Sequence, residues 1–226
     1  MEATVSIYRS ASQINSAMAR VYGQMMLAVL TSMVVAGLVG SSADLMAFLF
    51  TGIMKWVVIF SPLVAIFFIT VALNADPPKP VALAMLHGFA ALMGLSFATI
   101  FVVFTAGSIT SAFMGAAVLF GTLSAYGYFT KQSLDSLGKF MFIGLIAIVI
   151  ASIVNIFIGS TVMQMVISAL AIIIFLGLTA YDTQKIRESL VYENNGTAEV
   201  VGALTLYLNF INLFLNLLQL FGDRKE

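Results

Sequence analysis

Polar side chains embedded in long apolar segments are the candidates for a chemical role in this chain. Near its end, polar residues recur at spacings of four, three, four and three: Thr205, Asn209, Asn212, Asn216 and Gln219. A helix turns by about 100° per residue, so this polar stripe falls on one helix face. Because unpaired polar groups are costly in hydrocarbon, the stripe must face other helices, a ligand or water. Helix bridging by the amides and a hydrated pathway are both consistent with this pattern.

Asp182 is a second candidate, because it directly follows the apolar segment before the stripe. We interpret it as an acid at the C-terminal end of a helix, where the helix dipole disfavours negative charge. Lys185, three residues on, compensates this charge if the helix continues. Two readings remain open, a solvated helix end and the acidic element of an ion pathway.

Single polar residues elsewhere have simpler readings. Asn155 is interpreted as a helix-bridging amide, with pathway lining as the alternative. His87 is the single histidine, and we expect it to form a hydrogen bond between helices rather than to hold a metal. Glu199 lies where a helix should begin, and an acid suits that positive helix end.

The elements that position these residues are membrane-spanning helices. The composition is 61% hydrophobic and 9% charged, with a mean hydropathy of +1.07. A helix needs about twenty apolar residues to cross a bilayer, and seven segments approach that length: residues 25–40, 54–74, 81–105, 109–129, 137–158, 162–181 and 200–221. We predict an all-α membrane protein with seven transmembrane helices in one bundle (residues 21–222), a cytoplasmic segment (1–20) and a short tail (223–226).

Positive charge predicts the orientation of these helices, because Lys and Arg resist translocation. With a cytoplasmic N-terminus, seven of the ten Lys and Arg residues lie inside, and seven spans place the C-terminus outside. A six-span alternative, with a re-entrant last segment, would bring the C-terminus inside.

Pro62 lies within the second span and leaves one backbone carbonyl without its helical donor. It predicts a kink toward a neighbouring helix that can donate a hydrogen bond to this carbonyl.

The remaining composition argues against several classes of function. Ten acidic and ten basic residues balance, so we expect a lipid bilayer as surroundings and no nucleic-acid partner. The chain has no cysteine, which excludes disulfides and thiolate chemistry. Since no nucleophile with a base, phosphate loop or zinc spacing is present, we predict neither an enzyme nor a cofactor.

Two segments carry a family resemblance. Residues 179–186, TAYDTQKI, and residues 202–214, GALTLYLNFINLF, closely resemble the signature of the Bax inhibitor-1 family, the transmembrane BAX inhibitor motif proteins. Residues 125–134, AYGYFTKQSL, and 154–157, VNIF, add matches in register. The short N-terminus is similar to that of the bacterial branch, which implies the bacterial inner membrane.

The resemblance implies six helices around a central C-terminal helix and a pH-sensitive calcium leak channel. The family's proposed sensor is a pair of aspartates latched by an arginine of the second helix. Asp182 matches the first aspartate, whereas the second maps to Asn209, and residues 67–76 contain no arginine. An Asp–Asn pair has no like-charge repulsion to relieve, so we expect pH gating to be weak or differently built.

We therefore predict passive permeation of Ca²⁺, with Asp182 and Asn209 as ion pathway and sensor. Asp182 would be a weak Ca²⁺ contact, since one carboxylate is a poor cage. Lining or bridging roles fall to the remaining candidates: Thr205, Asn212, Asn216, Gln219 and Asn155. The alternative is a regulatory membrane partner of another complex, such as a membrane protease or a stress-response factor. A third reading makes the acid and the amides contacts that only hold helices together.

Overall fold

The structure is a computed structural model that describes residues 9–192 and 196–225. Residues 1–8 of the predicted cytoplasmic segment and residue 226 of the predicted tail lie outside the described residues. The described ranges form nine helices: α1 (Ala11–Gly40), α2 (Ala43–Phe50), α3 (Met54–Leu73), α4 (Lys79–Phe97), α5 (Ile100–Val103), α6 (Ala106–Phe129), α7 (Asp135–Ile158), α8 (Thr161–Tyr192) and α9 (Gly196–Phe221).

Seven stretches of this helical chain are long and apolar enough to cross a membrane, which confirms the predicted fold class. They are α1, α3, α4 together with α5, α6, α7, α8 and α9. The short α2 was not predicted, and the third segment is divided between α4 and α5. Turn residues separate the spans, as at Gly159, whose positive φ of 68° ends α7.

Two helices extend well beyond their predicted apolar segments. The first begins at Ala11, because Ser10 and Gln13 form a capping box there. The sixth span continues to Tyr192, so Asp182 lies inside a helix and the interpretation of a helix-terminal acid is wrong. Hydropathy falls after residue 181, but Leu190 is fully buried, and this packing keeps the polar segment helical.

The chain divides into two compact units, and α8 and α9 contribute to both. The first unit comprises residues 1–103 and 186–207. In it, α1 and α4 approach closely at Gly94, where a β-carbon would lie 2.7 Å from the carbonyl oxygen of Ser32. The Ser32 hydroxyl donates to the carbonyl of Ala90 at 2.8 Å and contacts the buried Tyr207 hydroxyl at 2.6 Å. Small residues therefore bring the helices together, and a polar contact joins them.

The second unit comprises residues 104–185 and 208–226. Its apolar core lies between α7 and α8 and consists of Met141, Ile148, Ala171, Ile174, Phe175 and Leu178. On α6, Phe113 and Phe120 contact Phe210 of α9 edge to face. A side chain at Gly127 would overlap the backbone of Ala180. The absence of a side chain at this position therefore lets α6 and α8 pack backbone to backbone.

The last helix, α9, is the most buried of the seven spans. In its most hydrophobic stretch 67% of residues are buried, whereas the other six reach 33% at most. A helix loses this much surface only when protein contacts it on most sides. The packing is therefore that of a central final helix, as the family resemblance implied.

Pro62 has the neighbour that the sequence predicted. It leaves the carbonyl of Val58 without its usual helical donor. The Ser96 hydroxyl of α4 donates to this carbonyl at 2.7 Å, and the Ser61 hydroxyl donates at 3.2 Å. A proline inside a span is thus tolerated because a second helix supplies the missing hydrogen bond.

The Ser96 hydrogen bond predicts a measurable coupling with Pro62. Ser96→Ala should lower the free energy of unfolding by about 0.6–1.7 kcal/mol, the range of hydrogen bonds between membrane helices. In a Pro62→Ala background it should lower it by much less, because the restored amide at position 62 then bonds Val58. Denaturant titration in detergent micelles measures both losses.

Thr70→Val is the matched control, because the Thr70 hydroxyl donates within α3 alone, to the carbonyl of Ile66. This variant should change stability less than Ser96→Ala does. Equal losses for Ser96→Ala with and without Pro62 would contradict the assignment.

Candidate functional site

The contact between Asp182 and Asn209 lies within the second unit. The amide nitrogen Nδ2 of Asn209 donates to Oδ2 of Asp182 at 2.6 Å. Asn209 is 5% exposed, and Asp182 is half-buried. Charge-assisted hydrogen bonds of this length are among the stronger contacts between side chains. The structure therefore brings together the two residues that the sequence paired, on α8 and α9.

The segment of α8 that carries Asp182 is held by its neighbours along the helix. Thr183 shares a 2.9 Å hydrogen bond with Ser124 of α6. Gln184 accepts a hydrogen bond from the amide of Leu134 and donates to the carbonyl of Gln132, each at 2.9 Å. These buried polar contacts set the rotation of α8 and with it the position of the acid.

The polar stripe lies mostly on the more accessible side of α9, which it shares with Leu208 and Leu215. Leu206, Leu213 and Leu218 on its other faces are at most 1% exposed. By contrast, most members of the stripe are half-buried: Thr205, Asn212, Asn216 and Gln219. Polar atoms that remain accessible within a membrane helix are stable when they meet water or a ligand rather than lipid.

Most donors of the stripe bond their own helix. Thr205 donates to the carbonyl of Val201 at 3.0 Å, and Asn212 and Asn216 each donate to the carbonyl four residues earlier at 2.8 Å. Bridging of neighbouring helices is seen at Asn209, which bonds Asp182. For Asn212 and Asn216, the interpretation as amides that join neighbouring helices is not supported by these hydrogen bonds.

Comparison with known proteins gives one family. The sequence model described as Inhibitor of apoptosis-promoting Bax1 matches residues 14–226. The inner membrane protein YbhL of Escherichia coli K12 is 37% identical over 226 residues, which cover 97% of each chain. A protein of Borreliella burgdorferi is 36% identical over 218 residues, 94% of each chain. The chain belongs to the Bax inhibitor-1 family. It is an integral membrane protein, as its spans indicated.

Asn155 of this Bax inhibitor-1 family protein bridges two helices at a turn. Its Oδ1 accepts a hydrogen bond from the amide of Ser160 at 3.1 Å, and its Nδ2 donates to Gln164 at 3.3 Å. Gln164 and Asp182 are eighteen positions apart on α8, about 27 Å along a helix. The structure therefore places Asn155 in the last turn of α7, next to the start of α8 and away from Asp182.

The other metal-ligand candidates are dispersed. His87 Nδ1 lies 3.1 Å from the hydroxyl of Thr31, so the expected hydrogen bond between helices is present. In residues 9–192 and 196–225, no three acidic, histidine or cysteine side chains are grouped as metal ligands. A weak Ca²⁺ contact at Asp182 stays a prediction.

Sequence reasoning missed the environment of Glu199, which is 2% exposed in the first unit. Its carboxylate lies 2.6 Å from Arg20, 2.9 Å from Lys79 and 3.6 Å from Arg9. The first-turn position of this acid was predicted, but the three cations come from distant parts of the chain. One feature of the sequence could have indicated this environment: an acid beside an apolar span requires a charged partner.

Glu199→Gln should lower the free energy of unfolding by about 2–4 kcal/mol, because it leaves three cations facing one another around a buried amide. Two of those cations are half-exposed, and solvent screening keeps the loss toward the lower end. Denaturant titration in detergent measures it.

Asp135→Asn is the control, since Asp135 pairs with Lys185 in an ion pair whose two partners are both half-exposed. It should change stability little. A similar loss for both variants would show that the carboxylate of Glu199 contributes nothing beyond a surface contact.

Proposed function

We propose that this protein is a passive cation conduit of the bacterial inner membrane, with Ca²⁺ as its permeant ion. The observation that carries the proposal is the contact of Asp182 with Asn209 beside the accessible polar face of an otherwise buried helix. The E. coli relative is named an inner membrane protein, which supports the proposed location in the bacterial inner membrane. No catalytic role is assigned to any residue.

The chemistry of the contact favours passage of a cation over its storage. A single carboxylate with amide oxygens offers hard oxygen ligands, but too few of them for tight binding of Ca²⁺. Conduction requires binding strong enough for entry and weak enough for release. Asp182 would attract the ion, and the amides of α9 would line its route.

The presence of Asn209 in place of an acid affects the proposed pH gating. The pair carries one titratable group, so it lacks the proton sharing of two carboxylates in contact. We therefore propose that pH gating is weak or built elsewhere.

The distribution of positive charge bears on the orientation in the membrane. The excess of Lys and Arg on one side of seven spans supports a cytoplasmic N-terminus and an external C-terminus.

Purified protein in liposomes should conduct Ca²⁺, and Asp182→Asn should reduce the flux about tenfold or more, because it removes the charge that attracts the ion. A fluorescent Ca²⁺ indicator trapped inside the liposomes measures the rate. Asp135→Asn serves as the control, since it removes a half-exposed acid that pairs with Lys185 in the same unit.

Absence of flux from the parent protein would overturn the conduit and favour the alternative, a regulatory partner of another membrane complex. Equal flux from parent and Asp182→Asn, with lower thermal stability of the variant, would make the acid a contact that only holds helices together.

Asn209→Asp should make Ca²⁺ flux more sensitive to pH. The two carboxylates would then lie at the 2.6 Å contact seen for the amide, and acids so close share a proton that is lost over an accessible pH range. Flux between pH 6 and 8 compares this variant with the parent. Superimposable pH profiles would contradict the proposed geometry.

A further inference from the structure

The hydrogen bonds of α9 determine which atom of each asparagine side chain remains available. Nδ2 of Asn212 donates to the carbonyl of Leu208, and Nδ2 of Asn216 donates to the carbonyl of Asn212, both at 2.8 Å. A backbone carbonyl can only accept a hydrogen bond, so the amide nitrogen must face it in both cases. The orientation of each amide follows from this chemistry, which settles the oxygen and nitrogen positions.

The amide oxygens are left open by the same arrangement. Within the part of the chain that the structure describes, Oδ1 of Asn212 and Oδ1 of Asn216 accept no hydrogen bond. Both side chains are half-buried and thus accessible. Asn209 follows the same rule, because its nitrogen is engaged by Asp182. Three successive side chains therefore each have one of their two N–H groups engaged, while no hydrogen bond to their amide oxygens is present within the described residues.

The spacing of these oxygens suits a mobile cation. Asn209, Asn212 and Asn216 are separated by three and four residues, which corresponds to rises of about 4.5 and 6 Å along a helix. Amide oxygens are hard ligands of the kind that Ca²⁺ takes, and waters complete its shell of six to eight oxygens. An anion would instead meet the negative charge of Asp182 beside Asn209.

We infer that Asn209, Asn212 and Asn216 form an amide-oxygen ladder along α9 that accepts hard divalent cations beside Asp182 and disfavours anions. This inference rests on the proposed conduit and adds its selectivity determinant. The hydrogen bonds from Nδ2 of Asn212 and Asn216 to their own helix, and from Nδ2 of Asn209 to Asp182, are positioning contacts, because each orients its amide so that the oxygen can face the ion.

Two substitutions at one position separate the oxygen from the nitrogen. Asn216→Leu removes both atoms, whereas Asn216→Asp keeps an oxygen-bearing side chain of the same size and loses the amide donor. The ladder predicts that Ca²⁺ flux into liposomes falls about tenfold for Asn216→Leu and stays at or above the parent rate for Asn216→Asp. The same pair at Asn212 should behave alike, and chloride flux should stay at background throughout.

Thr122→Val is the matched control, because the Thr122 hydroxyl of α6 donates to its own helix, at the carbonyl of Val118, 2.8 Å away. It should retain the parent Ca²⁺ flux. Thermal unfolding in detergent shows that each variant is folded before its flux is compared.

The outcomes separate the ladder from the conduit. Equal losses for Asn216→Leu and Asn216→Asp would show that the nitrogen matters, and unchanged flux in Asn216→Leu would show that neither atom does. Either result overturns the ladder. The proposed conduit still stands in that case if Asp182→Asn reduces the Ca²⁺ flux. A parent protein that does not pass Ca²⁺ overturns both.

Discussion

The cost of an unpaired polar group in hydrocarbon governs the arrangement of this protein. Each backbone or side-chain donor and acceptor must find a partner inside the protein or in water. The freed carbonyl of Val58 is bonded by Ser96 of another helix. The hydroxyls of Ser32 and Tyr207 bond each other in the first unit, and the carboxylate of Asp182 is bonded by an amide in the second. Helix packing in both units is thus directed by polar contacts as well as by close approach of small residues.

The last helix combines extensive burial with a partly accessible polar stripe. It is the most buried span, yet Thr205, Asn212, Asn216 and Gln219 of the stripe are only half-buried. Apolar side chains such as Phe210 hold it against its neighbours, which leaves the amide face as the surface that can meet an ion or water. The proposed pathway rests on this arrangement, because apolar contacts hold the helix while part of its polar face stays accessible.

Membership in the Bax inhibitor-1 family does not by itself determine the details of the proposed pathway, which depend on the residues of each chain. The family's pair of acids is here an acid and an amide, with Asn209 in the second position. The amide satisfies Asp182 directly and removes the repulsion on which proton sharing depends. Asn212 and Asn216 direct their nitrogens to their own backbone. Under the proposed function, the orientation of these amides would set the selectivity of the route, and pH gating would be weak or built elsewhere.

Hydropathy and residue spacing identified the seven spans, the polar face of α9 and the need for a partner at Pro62, because these depend on residues close together in sequence. The family resemblance supplied the pairing of Asp182 with Asn209. The prediction from local hydropathy that Asp182 ends a helix was wrong. Asp182 lies inside α8, because burial of later residues keeps the helix continuous beyond the apolar segment.

By itself, the sequence determined that this protein crosses a membrane with helices and must protect particular polar atoms there, since hydropathy and helical periodicity are local properties. The tertiary structure alone decided the partners. Arg20 and Lys79 reach Glu199 across 179 and 120 residues of chain, and Ser96 rather than another hydroxyl bonds Val58. Such choices depend on which helices pack together, and the packing is set by the shapes of all the buried side chains at once.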